Sequence, residues 1–180
     1  MPLLVVQSFV NTRDLGEETD LLADADAANR WLREAGLLGA DVTAGTEDLR
    51  DARAAREGIR ALLAHNGGGA TPAAADLRPL LAVTRASQLR LTIDPTGHIR
   101  LDPGSGRLVD GLLGLLLIIR DAQKDDTWRR LKICGNDECE WAFYDRSHSR
   151  RGTWCDMASC GNLIKNRNLR ARRITAAGLS

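Results

Sequence analysis

Apolar residues recur at helical spacing over most of the first two thirds of the chain. Leu21, Leu22, Ala25, Ala28, Trp31 and Leu32 fall three or four apart and predict a helix over 17–35, stopped at Gly36. Thr46, followed by Glu47 and Asp48, predicts a capped start, and Leu49, Ala52, Ile59, Leu62 and Leu63 share one face of the helix that follows. Arg50, Arg53, Arg56 and Arg60 lie on that helix and read as a solvated surface. The helix should end near His65, at Asn66-Gly67-Gly68-Gly69. Thr71-Pro72 opens another, running to about Ala86 and kinked or split at Pro79. The alternation then shortens to period two in Leu89–Ile93 and His98–Leu101 around Asp94-Pro95-Thr96-Gly97, a hairpin signal. Arg107 to about Ala122 is apolar enough for a helix buried among the others, while Leu3–Val10 fits either a short strand or a helix start. The expected fold is mainly α with an α+β element: a helical N-terminal domain over 1–123 with one small β-hairpin, then a small C-terminal module over 128–173 ending in a helix.

Composition changes this picture at one end. The whole chain carries a net charge of +1, but residues 1–123 hold 13 basic and 17 acidic side chains, and residues 124–180 hold 12 and 7. An anionic partner is therefore expected for that end only. The first ten residues lack the basic and cleavage regions of an export signal, and the longest apolar run, Leu112–Ile119, falls far short of a membrane span. A cytoplasmic setting with no membrane association is the expectation, where paired thiols more often hold metal than form disulfides.

All four cysteines lie in this basic end, as Cys134-x4-Cys139 and Cys155-x4-Cys160. Four thiolates at that spacing suit one structural zinc ion, with an iron–sulfur cluster and disulfides as the competing readings. Residues 128–173 are too few to bury a core alone, and an apparent zinc-binding free energy of roughly 10–16 kcal/mol would offset that deficit. Five of the seven aromatic residues fall between Trp128 and Trp154 and supply local packing. His148 between the pairs reads as a surface residue, since four sulfurs already complete a tetrahedron.

The run Cys134…Cys139-x3-Phe143-x-Asp145-x-Ser147…Arg150-Arg151…Trp154-Cys155-Asp156-Met157-x2-Cys160-Gly161-Asn162 closely resembles the CGNR zinc finger family. Ser8-Phe9-Val10-Asn11-Thr12, and Trp31-Leu32 with Gly36-Leu37-Leu38, resemble the stress-induced transcription regulator domain that accompanies it. The resemblance implies a bacterial regulator whose finger contacts DNA and whose larger domain senses a signal. One departure stands out: Leu163 occupies the position of the family's arginine.

Arg146, Arg150 and Arg151 between the cysteine pairs, with Lys165, Arg167 and Arg170 after them, are the expected phosphate contacts. Ser147, Ser149 and Asn166 offer neutral hydrogen bonds. The alternative is a zinc-stabilised module whose basic face meets an acidic protein or a second copy of the chain as a homodimer. The helical part has room for a small-molecule ligand, which no residue identifies. An enzyme is not expected. His65, His98 and His148 lie far apart with no nucleophile motif beside them, and Gly104-Ser105-Gly106 reads as a turn.

Overall fold

The computed structural model describes residues 2–104, 106–167 and 169. Ser105, Asn168, Arg170 and everything after it, including Arg172 and Arg173, lie outside the described residues. Among the described residues nine elements make up the helical part. The first eight are α1 (Leu3–Val10), β1 (Arg13–Asp14), β2 (Thr19–Asp20), α2 (Ala25–Glu34), α3 (Thr46–Asn66), α4 (Ala74–Ala86) and the hairpin β3 (Arg90–Ile93) and β4 (Ile99–Asp102). Helix α5 (Leu108–Lys124) is the last. A 3-10 turn at Trp128–Arg130 leads into β5 (Leu131–Ile133), which pairs antiparallel with β6 (Ala142–Tyr144). A single π-turn, Met157–Gly161, closes the second cysteine pair, and the chain is helical over 162–167. Among the described residues no helix is long and apolar enough to cross a membrane.

The first apolar run resolves as helix α1, burying Leu3, Val6, Phe9 and Val10. Helix α2 is shorter than its periodicity predicts. Asp24 accepts from the Ala27 N–H and fixes the start, so the preceding residues are free to form β2 and a turn. Leu21 and Leu22, which extended the helical pattern, lie outside it, and only Leu22 is buried. Local capping overrode hydrophobic spacing. The start of α3 moves by one residue: Gly45 precedes the helix, its N–H bound by the Asp48 carboxylate at 2.9 Å. Asp76 does the same for Ala73 at α4, which begins after Thr71-Pro72 and carries Pro79 within it.

Helix α3 is the hub, packing against α1, α2, α4, α5 and β5. The solvated surface expected for its arginines is wrong for two of them. Arg56 is 2% exposed and Arg60 7%. Arg56 binds Asp20 in two parallel bonds of 2.6 and 2.8 Å and reaches the Thr12 hydroxyl. Arg60 binds Glu57 and the carbonyls of Val10 and Glu140. These long side chains cross from α3 to segments adjacent in space but remote in sequence, which helical periodicity does not register.

The hydrophobic core does not stop at α5. Trp128, Leu131 and Ala142 belong to the same buried cluster as Phe9, Ile59, Leu63 and Ile119. Polar clamps reinforce the seam. The Asn11 side-chain amide donates to the Ala142 carbonyl and accepts from its N–H, at 2.9 and 2.7 Å. The Asn66 amide donates to the carbonyls of Trp128 and Leu131. Trp128 therefore packs with the helices rather than around the cysteines. By contrast β3–β4 stands apart: Leu91, Ile93 and Ile99 are each 71% exposed.

Candidate metal centre

The strand pair β5–β6 carries the first cysteine turn on its end. The Cys134 N–H donates to the Trp141 carbonyl, and the Cys139 N–H to the Asn136 carbonyl, folding residues 134–141 into a tight loop. Glu140 takes a left-handed conformation there, φ 46°, unusual for a side-chain-bearing residue. Its carbonyl accepts from buried Arg60 at 2.8 Å, so a cation from α3 holds the turn where the backbone is least favourable.

The second turn arrives differently. After β6, Asp145 organises the loop that returns the chain. Its carboxylate accepts from Lys132 Nζ, the Ser147 N–H and the Gly152 N–H at 2.8–2.9 Å. Asp145 and Lys132 are both buried. Burial opposes ionisation of Asp145, but Lys132 and these N–H donors outweigh it and hold its pKa well below the ordinary value. Lys132 also donates to the carbonyls of Arg150 and Gly152. Arg150, φ 54°, is the second left-handed residue of this end to have its carbonyl gripped by a buried cation. The Gly135 N–H then meets the Thr153 carbonyl at 2.8 Å, joining the turns. Asp156 caps the π-turn, accepting from the Ala158 and Ser159 N–H groups. Both glycines of the turns, Gly135 and Gly161, lie under Trp154. A Cβ on Gly135 would stand 2.9 Å from Thr153 Cγ2 and 3.2 Å from the ring. One on Gly161 would overlap Met157 Sδ and stand 3.0 Å from the ring, so side chains there would force these groups apart.

The result brings all four predicted sulfurs together, within 4.8 Å of one another. Cys139 and Cys155 Sγ are 3.7 Å apart, and Cys155 and Cys160 Sγ 3.8 Å. A regular tetrahedron of sulfurs about 2.3 Å from a zinc ion has edges of about 3.8 Å, whereas a disulfide needs about 2.05 Å. The donor set fits one zinc ion and does not fit two disulfides.

Burial makes two of the thiols poor acids. Burial pushes Cys139 up to about 11, against the Trp141 N–H that favours its thiolate, and burial likewise raises Cys155. Burial also opposes ionisation of Cys160, but the Asn136 amide 3.7 Å from its sulfur and the neighbouring thiols bring its pKa below the ordinary value. A coordinated cation overrides such shifts, because a ligating thiol gives up its proton outright.

The six basic residues expected at phosphate meet different fates. Arg146, Arg151 and Lys165 are exposed and have no ion-pair partner among the described residues. Arg150 is exposed but paired with Asp126, and Arg167 forms two bonds with Glu138 at 3.0 and 2.9 Å. Arg170 lies outside the described residues. His148 is exposed, and so is Leu163 at 42%. The residues that sequence reasoning missed are the supports: Asn11, Asn66, Arg60, Lys132 and Asp145. Only Asn11 and Asp145 carried a signal, as positions of the motifs quoted for the helical domain and the finger.

Residues 5–123 match the family model described as "Putative stress-induced transcription regulator", and residues 130–173 match that of the CGNR zinc finger. No curated protein matches the chain. Neither matched family is one of enzymes.

Proposed function

Because this chain belongs to the stress-induced transcription regulator family and ends in a CGNR zinc finger, we propose that it is a DNA-binding regulator, with Cys134, Cys139, Cys155 and Cys160 as zinc ligands. The observation that carries the reading is the braced loop 145–152. A buried Lys132–Asp145 pair fixes its backbone while Arg146 and Arg151 extend to solvent unpaired among the described residues. A loop prepared in this way meets phosphate without first being ordered, which removes part of the entropic cost of binding. Lys165, on the helical segment after the second turn, adds a third cation.

Arg150 and Arg167 already have carboxylate partners, so they contribute to DNA only if those pairs open. Three contacts give a log–log salt slope of about −2.7 and five about −4.5, at roughly −0.9 per phosphate. Leu163 supplies no charge where the family has arginine, so affinity rests more heavily on the loop. The helical part, on this reading, is the responsive half, and its buried ties to β6 are the route by which a ligand would be felt.

The test is anisotropy of labelled duplex DNA with the zinc-loaded chain, titrated at several salt concentrations. We expect a slope between those two values, and near-complete loss of binding in the triple variant R146A/R151A/K165A with zinc content unchanged. Binding that unrelated duplex fails to displace, or a triple variant that binds like the native chain, would instead favour a protein-docking module.

A further inference from the structure

A cleft of ≈ 360 Å³ opens where α1, the β1–β2 turn and α2 meet the cysteine hairpin, and its walls include Ser8, Asp14, Thr19, Trp31 and Trp141. We propose that this cleft binds a small organic ammonium ion and that the first cysteine turn responds to its occupancy. The proposal rests on the reading of the helical part as the responsive half, and goes further by naming the site and the chemistry of its ligand.

Charge and ring chemistry select the ligand. Two of the chain's four tryptophans line one small space, and an indole face is the aromatic surface that attracts cations most strongly. Two carboxylates, Asp14 and Asp20, share the lining, and no lysine or arginine does. Asp20 is neutralised by Arg56 behind it. Asp14 has no ion-pair partner among the described residues. Its Oδ1 accepts from the Gly16 and Glu17 N–H groups, and its Oδ2 accepts no described hydrogen bond. The hydroxyls of Ser8 and Thr19 likewise have no described partner. An anion would find no positive group there, and a wholly apolar ligand would leave Asp14 desolvated and unmatched.

The link to the metal centre is covalent in its first step. Trp141 lines the cleft, while its own backbone is committed to the first cysteine pair. Its carbonyl accepts from the Cys134 N–H at 2.9 Å, and its N–H favours the Cys139 thiolate. The next residue, Ala142, is held on both backbone groups by Asn11, itself a cleft residue. A ligand that shifts the Trp141 ring or the Asn11 amide therefore moves groups that hold Cys134 and Cys139.

Choline and n-propylammonium are the probes, with 3,3-dimethylbutan-1-ol as the neutral isostere of choline. They are titrated calorimetrically into the zinc-loaded full chain without DNA, so failure leaves the DNA reading untouched. We expect saturable binding of at least one cation, none by the alcohol, and about tenfold weaker binding in D14N, the loss of one charge-assisted contact. D14N retains the Oδ1 acceptor that the Gly16 and Glu17 N–H groups need, so the turn should persist. W141F should weaken binding less than D14N. Amide hydrogen exchange at Cys134 and Ala142 should slow on saturation. No saturable heat with either cation, equal binding of the alcohol, or native affinity in D14N would overturn the ligand assignment. Binding without any change in exchange at Cys134 and Ala142 would overturn the response of the turn.

Discussion

The first cysteine turn grows from a strand pair whose inner face is already core, whereas the second sits at the end of a loop with little apolar burial. Cys134 is buried beside Leu131 and Ala142, and α3 reaches the turn through Arg60. Around the second turn Asp156, Met157, Ala158 and Ser159 are exposed, and order comes from the Asp156 cap, the Lys132–Asp145 brace and shared sulfurs. The same x4 spacing is thus stabilised by packing in one case and by polar ties and coordination in the other. A metal-bearing segment need not depend on its metal throughout.

The sharpest way to break this contrast is to remove the ion. Chelation, or C160S, forfeits much of an apparent binding free energy of roughly 10–16 kcal/mol. Residues 146–161 should then become protease-sensitive while Leu131 and Ala142 keep slow amide exchange. Uniform loss of protection across 128–161 would show that both turns depend equally on coordination. The next largest effect belongs to the brace. K132A leaves the Asp145 carboxylate buried and unpaired, at a cost of about 3–5 kcal/mol. Thermal melts should show it, with the damage mapped by exchange to 145–153 and sparing α1–α5. Smaller again are the clamps on the first turn: N11A should cost about 1–3 kcal/mol by orphaning both Ala142 backbone groups. It should speed exchange at Ala142 with zinc stoichiometry intact.

Acid should sharpen the contrast from the other side. Burial opposes ionisation of Asp20, but its bonds with Arg56 prevail and lower its pKa. Its contribution is present above the unfolded value of about 3.9 and is lost as pH falls through the lowered folded value. In metal-free protein, D20N should flatten the fall in helical stability below about pH 4 relative to the native chain. An unchanged acid profile would show that other carboxylates govern it.

The smallest effect concerns the surface pairs. D126N and E138Q free Arg150 and Arg167 from exposed pairs worth about 0–1 kcal/mol each. They should tighten DNA binding modestly and steepen its salt slope toward the five-contact value, as read by anisotropy.

The helices, the hairpin and the sulfur cluster were legible because each writes a local pattern: a period, a turn, a spacing. Helix α3 emerged almost whole from Leu49, Ile59 and Leu63. The β1–β2 pair was hidden because two-residue strands leave no alternation to read, and Leu21–Leu22 continued a helical period that Asp24 interrupts. Arg56 and Arg60 were misread because arginine at helical spacing looks alike on a surface or across a seam; only the positions of Asp20, Val10 and Glu140 distinguish them. The core shared across 128–144 was invisible for the same reason. The charge change near residue 124 marks a change of surface, while Trp128 and Leu131 continue the interior.

The Asn11 amide meets Ala142 as a neighbouring strand would, offering one donor and one acceptor to an otherwise bare edge. The finger is therefore poorly portable. Excised at residue 128, it would carry away an unpartnered strand and the sticky faces of Leu131 and Ala142. Grafted onto another scaffold, it would need a substitute for that side chain before it stayed monomeric.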